Sequence, residues 1–244
     1  MFFPKRIKSI KKTDKVLEIG PGNTPFYRSD ILLEKVFLDD EETFLQAGGT
    51  QKIDLKKDII YFTDNVFPFK DKEFNYTICS HVLEHIPKDD LSHFIKELER
   101  VSINGGYIEV PSYSFELLTS VKCHLSLIYA DSENTLHFLY KEDFDLHSES
   151  YERLRESMIK IGLNSHLIPL NLDIFGYGFE HKNNIKYKVH KDASSFFDIV
   201  NQNKGIVNII WSKNIKYYLQ KVLEQFNQNI FKQKIYNKFK VSLK

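Results

Sequence analysis

Five short apolar runs set the limits on what this chain can fold into. Lys15-Val-Leu-Glu-Ile-Gly20 ends in a Gly-Pro-Gly turn. Asp30-Ile-Leu-Leu-Glu34 and Asp58-Ile-Ile-Tyr-Phe-Thr-Asp64 each end on an acid. Phe74-Asn-Tyr-Thr-Ile-Cys-Ser80 runs into His81, and Tyr107-Ile-Glu-Val-Pro111 ends at Ser112. Runs of this length bounded by turn residues read as buried strands. Between the fourth and fifth, Leu91, Phe94, Ile95, Leu98 and Val101 keep helical spacing, with Asp89 or Asp90 at the start and Asn104-Gly-Gly106 at the end. Strands alternating with helices or loops predict an α/β protein with a parallel sheet covered on both faces.

In such a sheet, ligands sit beyond the carboxyl ends of the strands. Those ends carry Gly20-Pro21-Gly22, Glu34, Asp64, Ser80-His81 and Pro111-Ser112. A glycine turn lets a ligand approach the backbone, and an acid at the next strand end can accept bonds from both hydroxyls of a ribose. The set predicts a nucleoside pocket. Two acids compete for the ribose: Glu34, 16 residues after Glu18, and Asp39, which fits the usual spacing of about 20. Asp64 is the candidate for the adenine amino group, and a turn-capping Asp is its plainer role.

The stretch His81-Val-Leu-Glu84-His85 raises a rival reading. It matches H-x-x-E-H, a zinc-protease pattern in which two His on one helix face hold the metal. No third zinc ligand is evident downstream, and such a protease needs no glycine-rich nucleoside site. No metal site is therefore expected.

The ordered set of motifs resembles class I S-adenosylmethionine-dependent methyltransferases of the type 11 group. VLEIGPGNTPF, with Glu18, Gly20, Pro21 and Gly22, is similar to their first motif, although Thr24 stands where many relatives have a third glycine. NVFPFKDKEFNYTICSHVLEHI and LERVSINGGYIEVPS resemble the motifs that follow. The likeness covers about residues 14–113. It is nearest to small bacterial enzymes of surface-polysaccharide and capsule biosynthesis, which share the compact GPGxxPF turn and a segment like His124 to Leu136. The resemblance implies a Rossmann-like, doubly wound, mostly parallel seven-stranded sheet with a late antiparallel strand. It implies S-adenosyl-L-methionine as cofactor, held by Glu18, Gly20, Pro21, Gly22, Glu34, Asp64, Ser80 and His81.

An O-directed reaction on a sugar or phosphate-type group of a glycan precursor is expected. A small-molecule or lipid-quinone acceptor is the alternative, as is a catalytically silent, cofactor-binding partner of a glycan-assembly complex. If a base removes the acceptor proton, His is suited to the task near pH 7. His124 and His81 are the candidates, with His137 and His147 behind them. Packing or capping is the plainer role for each, since sulfonium is an excellent leaving group and alignment can suffice.

The C-terminal half is less regular. Residues 151–161 read as a helix and 164–171 as a strand. Ile185 to His190 alternates and is the expected late antiparallel strand. Phe175, Tyr177 and Phe179, spaced by glycines, read as an aromatic core cluster or an acceptor-side loop. The expected division is a methyltransferase domain over 1–205 (cofactor half about 14–113, acceptor side about 114–205) and a helical extension over 206–244. From Asn201 onward there are nine Lys against Glu224 alone, within a chain of net charge +1. Ile215, Tyr218, Leu219, Val222, Phe226 and Ile230 make an apolar stripe among them. The tail reads as a helix packed on the body or a twin subunit in a homodimer, or as a basic amphipathic helix at an acidic membrane surface. Nucleic acid is not expected as a partner, because no basic stripe interleaves with the pocket.

The 42% hydrophobic and 27% charged fractions are those of a globular protein. Two cysteines give no disulfide framework. A cytoplasmic location is expected, with or without peripheral contact at the inner membrane face.

Overall fold

The computed structural model describes residues 3–37, 58–63, 66–143, 156 and 172–202. Asp39, Asp64, His147, the expected helix over 151–161 apart from Glu156, the expected strand over 164–171 and the basic tail lie outside the described residues. The chain divides into two compact units, Met1–Phe197 and Asp198–Lys244. The described part of the second unit is Asp198–Gln202, in helical conformation.

In the first unit, strands β1 (Val16–Ile19), β2 (Ile31–Lys35), β3 (Asp58–Phe62), β4 (Tyr76–Ser80) and β5 (Gly106–Pro111) correspond to the five apolar runs. They pair in parallel, in the order β3-β2-β1-β4-β5. β1 and β5 are buried throughout and β4 is buried up to Ser80, which is why they read as mostly apolar continuous runs rather than alternating ones. Helix α1 (Leu91–Val101) buries Leu91, Phe94, Ile95, Leu98 and Val101, the residues its spacing selected. They join Leu17, Ile19, Leu33 and Ile108 in the main core. Truncating one such ring or branched side chain to Ala costs about 2–5 kcal/mol. Asp90 stands at the N-cap of α1 without a side-chain cap bond. Helix α2 (Tyr113–Thr119) follows β5 and is capped by Ser112, whose hydroxyl accepts from Phe115 N–H.

The sixth strand is β8 (Gly176–His181), antiparallel to β5 from Gly106↔His181 to Pro111↔Gly176. This corrects the assignment of the late antiparallel strand to Ile185–His190. The aromatic–glycine stretch takes that place, with Phe175 buried and Tyr177 and Phe179 packed on the core. Glycine is needed there by contact: a Cβ on Gly178 would lie 2.2 Å from the Tyr107 hydroxyl. Ile185–His190 instead ends in β9 (Tyr187–His190), which pairs in parallel with β7 (Leu136–Tyr140). β7 pairs antiparallel with β6 (Ser126–Ala130). These three form a second sheet, ordered β6-β7-β9, that the motifs did not reveal. The β6–β7 turn is held by Asp131 Oδ1, which accepts from Glu133 and Thr135 N–H at 2.9 Å each. A short helix, α3 (Leu172–Phe175), precedes β8, and α4 (Ala193–Gln202) follows β9. Among the described residues, no helix is long and apolar enough to cross a membrane.

Candidate functional site

With β1 between β2 and β4, the strand order reverses direction at β1, and the crevice opens beyond the carboxyl ends of β1 and β4. The chain leaves β1 through Gly20 and Gly22, both at positive φ (61° and 53°). Gly20 N–H donates to Leu33 O at 2.9 Å. A Cβ on Gly20 would meet Val82 Cγ2 at 2.4 Å, so the glycine is demanded first by the turn after β4. Glu18 faces the other way. Its Oε2 accepts from Phe26 N–H at 2.8 Å and from Ser29 Oγ at 2.6 Å, pinning the returning loop.

Gly20, Gly22, Glu34, His81, Val82 and His85 line the cleft, with Phe62, Ile86 and Phe94 supplying apolar wall. Glu34 accepts from Gly22 N–H at 3.3 Å and Lys35 N–H at 3.0 Å. Burial raises its carboxyl above the usual range, more than these two bonds lower it. A carboxylate held this way at the end of β2 fits two ribose hydroxyls. Of the residues assigned to the cofactor, Gly20, Gly22, Glu34 and His81 thus line the cleft. Glu18 braces the loop behind it. Pro21 is buried, and Ser80 Oγ donates to Glu109 Oε1 at 3.1 Å.

His81 does not lie on a helix with His85. It adopts φ 58°, and only Leu83–His85 makes a 3-10 turn. The H-x-x-E-H spacing therefore does not present two imidazoles on one helix face. Instead His81 is clamped between two wholly buried carboxylates, with Nε2 3.1 Å from Glu109 Oε1 and Nδ1 3.3 Å from Glu84 Oε1. Its N–H donates to Glu109 O at 2.8 Å. Glu109 Oε2 accepts from the Tyr107 hydroxyl at 2.7 Å and from Phe3 N–H at 2.9 Å. Burial pushes the His81 imidazole down, yet the two carboxylates outweigh it and raise it to about 9. At neutral pH it is a cation, which cannot accept an acceptor's proton. This speaks against a role as base.

His124 sits behind the cleft rather than on its lining. Its Nδ1 is hydrogen-bonded to Glu116, and its Nε2 lies 4.0 Å from Glu84 Oε1. Glu116 also pairs with Lys141 Nζ at 2.8 Å. His124 therefore keeps its Nε2 away from the cleft, where no acceptor in that cleft meets it. His85, which the motif reading left to capping, is the imidazole that lines the cleft beside His81. Its Nδ1–H donates to Cys123 O at 3.0 Å. Burial lowers its affinity for a proton, and nearby Glu84 only partly restores it, so it is neutral near pH 7. His137 lies in the second sheet, bonded to His190 at 3.0 Å.

Comparison with known proteins bears on this crevice. Residues 17–110, which are 94 of the 244, match the sequence model of a family described as a methyltransferase domain. The matched stretch runs from β1 to β5 and contains the Gly20–Gly22 turn and Glu34. No curated protein sequence matches the chain. Among solved structures, a SAM-dependent methyltransferase from Thermotoga maritima is 20% identical over 45% of this chain and 49% of its own, with a TM-score of 0.31. One from Methanosarcina mazei is 17% identical over 51% and 70%, at 0.31. A Pyrococcus horikoshii protein is 18% identical over 64% and 76%, at 0.36. The chain thus spans about half the length of the first of these. Scores of this size say nothing of an acceptor.

Proposed function

We propose that the chain transfers the methyl group of S-adenosylmethionine to an oxygen of a surface-glycan precursor, either a sugar hydroxyl or a phosphate-type group. The observation that carries the cofactor part is the meeting of the left-handed Gly20–Gly22 turn with the Glu34 carboxylate at the carboxyl ends of β1 and β2. The acceptor part is supported by sequence likeness of the GPGxxPF turn and of the segment from His124 to Leu136.

In this reading Gly20 and Gly22 admit the adenosine, Glu34 accepts from its ribose, and the clamped His81 end of β4 receives the methionine part. As the acceptor oxygen bonds the methyl carbon, the carbon–sulfur bond breaks and the sulfonium becomes a neutral thioether. The acceptor's proton, where there is one, leaves to solvent. Since His81 is held between two carboxylates and His124 stands off the cleft lining, alignment of acceptor and methyl group carries the rate. An oxygen that is already anionic needs no base at all, which favours a phosphate-type acceptor.

Calorimetry with S-adenosylhomocysteine tests the cofactor part. Binding in the micromolar range, about −7 to −8 kcal/mol, is expected, with a raised melting temperature. Glu34→Ala should weaken it about 10- to 100-fold, equivalent to about 1.4–2.7 kcal/mol, without unfolding the protein. Absence of heat and of thermal shift at millimolar ligand would overturn it. Labelled methyl transfer to isolated glycan precursors tests the acceptor.

A further inference from the structure

At the wall of the cleft, reaching back from His85, lies a cluster that the methyl-transfer reading does not use. One ligand atom from each of His85, Cys123 and His124 falls within 4.8 Å of the other two. The two rings meet edge to face at 4.7 Å between centroids. Each ring already commits its Nδ1 to an oxygen: His85 donates to Cys123 O, and His124 is bonded to Glu116. That leaves Nε2 on each ring for a ligand. A ring nitrogen held by a carbonyl or carboxylate is the usual arrangement around metal-bound histidine, because it fixes the tautomer and the ring's orientation.

Glu84 supplies an independent sign. It is wholly buried, and neither carboxylate oxygen has a hydrogen-bond partner. Its nearest charged or titratable neighbours are imidazoles: His81 Nδ1 at 3.3 Å, without hydrogen-bond geometry, and His124 Nε2 at 4.0 Å. The His81 cation stands 3.3 Å from Oε1 but donates no hydrogen bond to it, and a buried carboxylate with unsatisfied oxygens is costly.

We propose that His85, Cys123 and His124 bind a divalent cation of zinc-like chemistry, with the Glu84 carboxylate as fourth ligand. Two imidazoles, a thiolate and a carboxylate suit a borderline-soft ion and not calcium or magnesium, which take oxygen ligands. Zinc holds nitrogen at about 2.0–2.1 Å and sulfur at about 2.3 Å, so ligand atoms in a tetrahedral site stand roughly 3.3–3.8 Å apart. The three atoms, within 4.8 Å of one another, lie close to that spacing. The ion ties the turn after β4 to the loop before β6, segments 38 residues apart in sequence. The site shares His85 with the cleft wall but takes none of Gly20, Gly22 and Glu34, so a failure here leaves the methyl-transfer reading standing.

The test uses the full chain, stripped with chelator and titrated with zinc and with cobalt. One ion per chain is expected, with a higher melting temperature on zinc addition. The cobalt form should show a thiolate-to-metal band in the near ultraviolet and the intense visible bands of a tetrahedral site. Cys123→Ser should abolish the thiolate band, and Cys123→Ser and His85→Ala should each weaken zinc binding by about 100-fold or more. Glu116→Gln, which alters the support of His124 and the Lys141 pair but no proposed ligand, should weaken it about 10- to 100-fold. The exposed His93→Ala should change nothing. A cooperative unfolding transition of each variant shows whether it is folded. Sub-stoichiometric binding, a cobalt spectrum without the thiolate band, or affinity unchanged in a folded Cys123→Ser variant would overturn the proposal and leave a closed polar cluster.

Discussion

The two sheets bury their polar groups in opposite ways. At the ligand end of the six-stranded sheet the buried groups are acids, Glu18 and Glu109 in the strands and Glu84 in the turn after β4, answered by backbone N–H groups, hydroxyls or the His81 cation. In the three-stranded sheet they are imidazoles. His137 Nε2 lies 3.2 Å from Asp131 Oδ2, its Nδ1 is 3.0 Å from His190 Nε2, and His190 Nδ1 is 3.2 Å from Ser195 Oγ. Burial, with neighbouring His137 and Lys188, keeps His190 below its ordinary protonation range. One cluster keeps charge under tension beside a cleft. The other is a closed hydrogen-bonded chain that joins β7, β9 and the start of α4. The difference teaches where to look for chemistry: buried charge is costly, so a fold that keeps it near a crevice has a use for it.

The sharpest way to break this contrast is His81→Ala. It leaves Glu84 and Glu109 buried with no imidazolium between them, and should cost about 3–5 kcal/mol in denaturant unfolding. Adding Glu84→Gln should recover part of the loss. If His81→Ala were as stable as the parent, the charged cluster would not exist as described.

Next in size is an acid effect. Burial pushes the His181 imidazole on β8 down to about 4, against an ordinary 6.5. The unfolded chain then binds the proton more tightly than the folded one. Its contribution to stability is whole above pH 6.5 and is lost as pH falls from 6.5 toward 4, reaching about 3 kcal/mol. His181→Leu should flatten the stability profile between those limits, measured against the parent protein.

His137→Phe tests the second sheet. It removes the centre of the chain and leaves His190 short of a partner, which should cost about 1–3 kcal/mol. S-adenosylhomocysteine affinity should stay as it was, and a change there would erase the distinction between the two sheets. Smallest is Lys186→Ala. Lys186 Nζ meets Glu133 Oε2 at 3.3 Å with both side chains well exposed. No more than about 0.5 kcal/mol should be lost.

Much of the first sheet was legible in the sequence. Doubly buried strands leave unbroken apolar runs, α1 leaves its spacing, and a left-handed turn leaves Gly-Pro-Gly. Those signals are local, and they placed Gly20, Gly22 and Glu34 at one end of one sheet. The second sheet left a fainter trace, since β6 and β7 are joined by the Asp131–Thr135 turn and flanked by polar loops. The Gly176–His181 stretch reads as loop or cluster because what makes it a strand is the backbone of β5, about 70 residues earlier.

The sequence alone determined the strand series, the glycine turn and the acid beside it, because each is a property of neighbouring residues and their backbone preferences. Only the tertiary structure decided what the histidines do. The left-handed backbone at His81 turns its ring between Glu84 and Glu109, and strand order brings Cys123 and His124 against His85. A motif spacing fixes which residues are near in the chain. Protonation and ligation depend on which charges are near in space, and burial strengthens those interactions by removing water from between them.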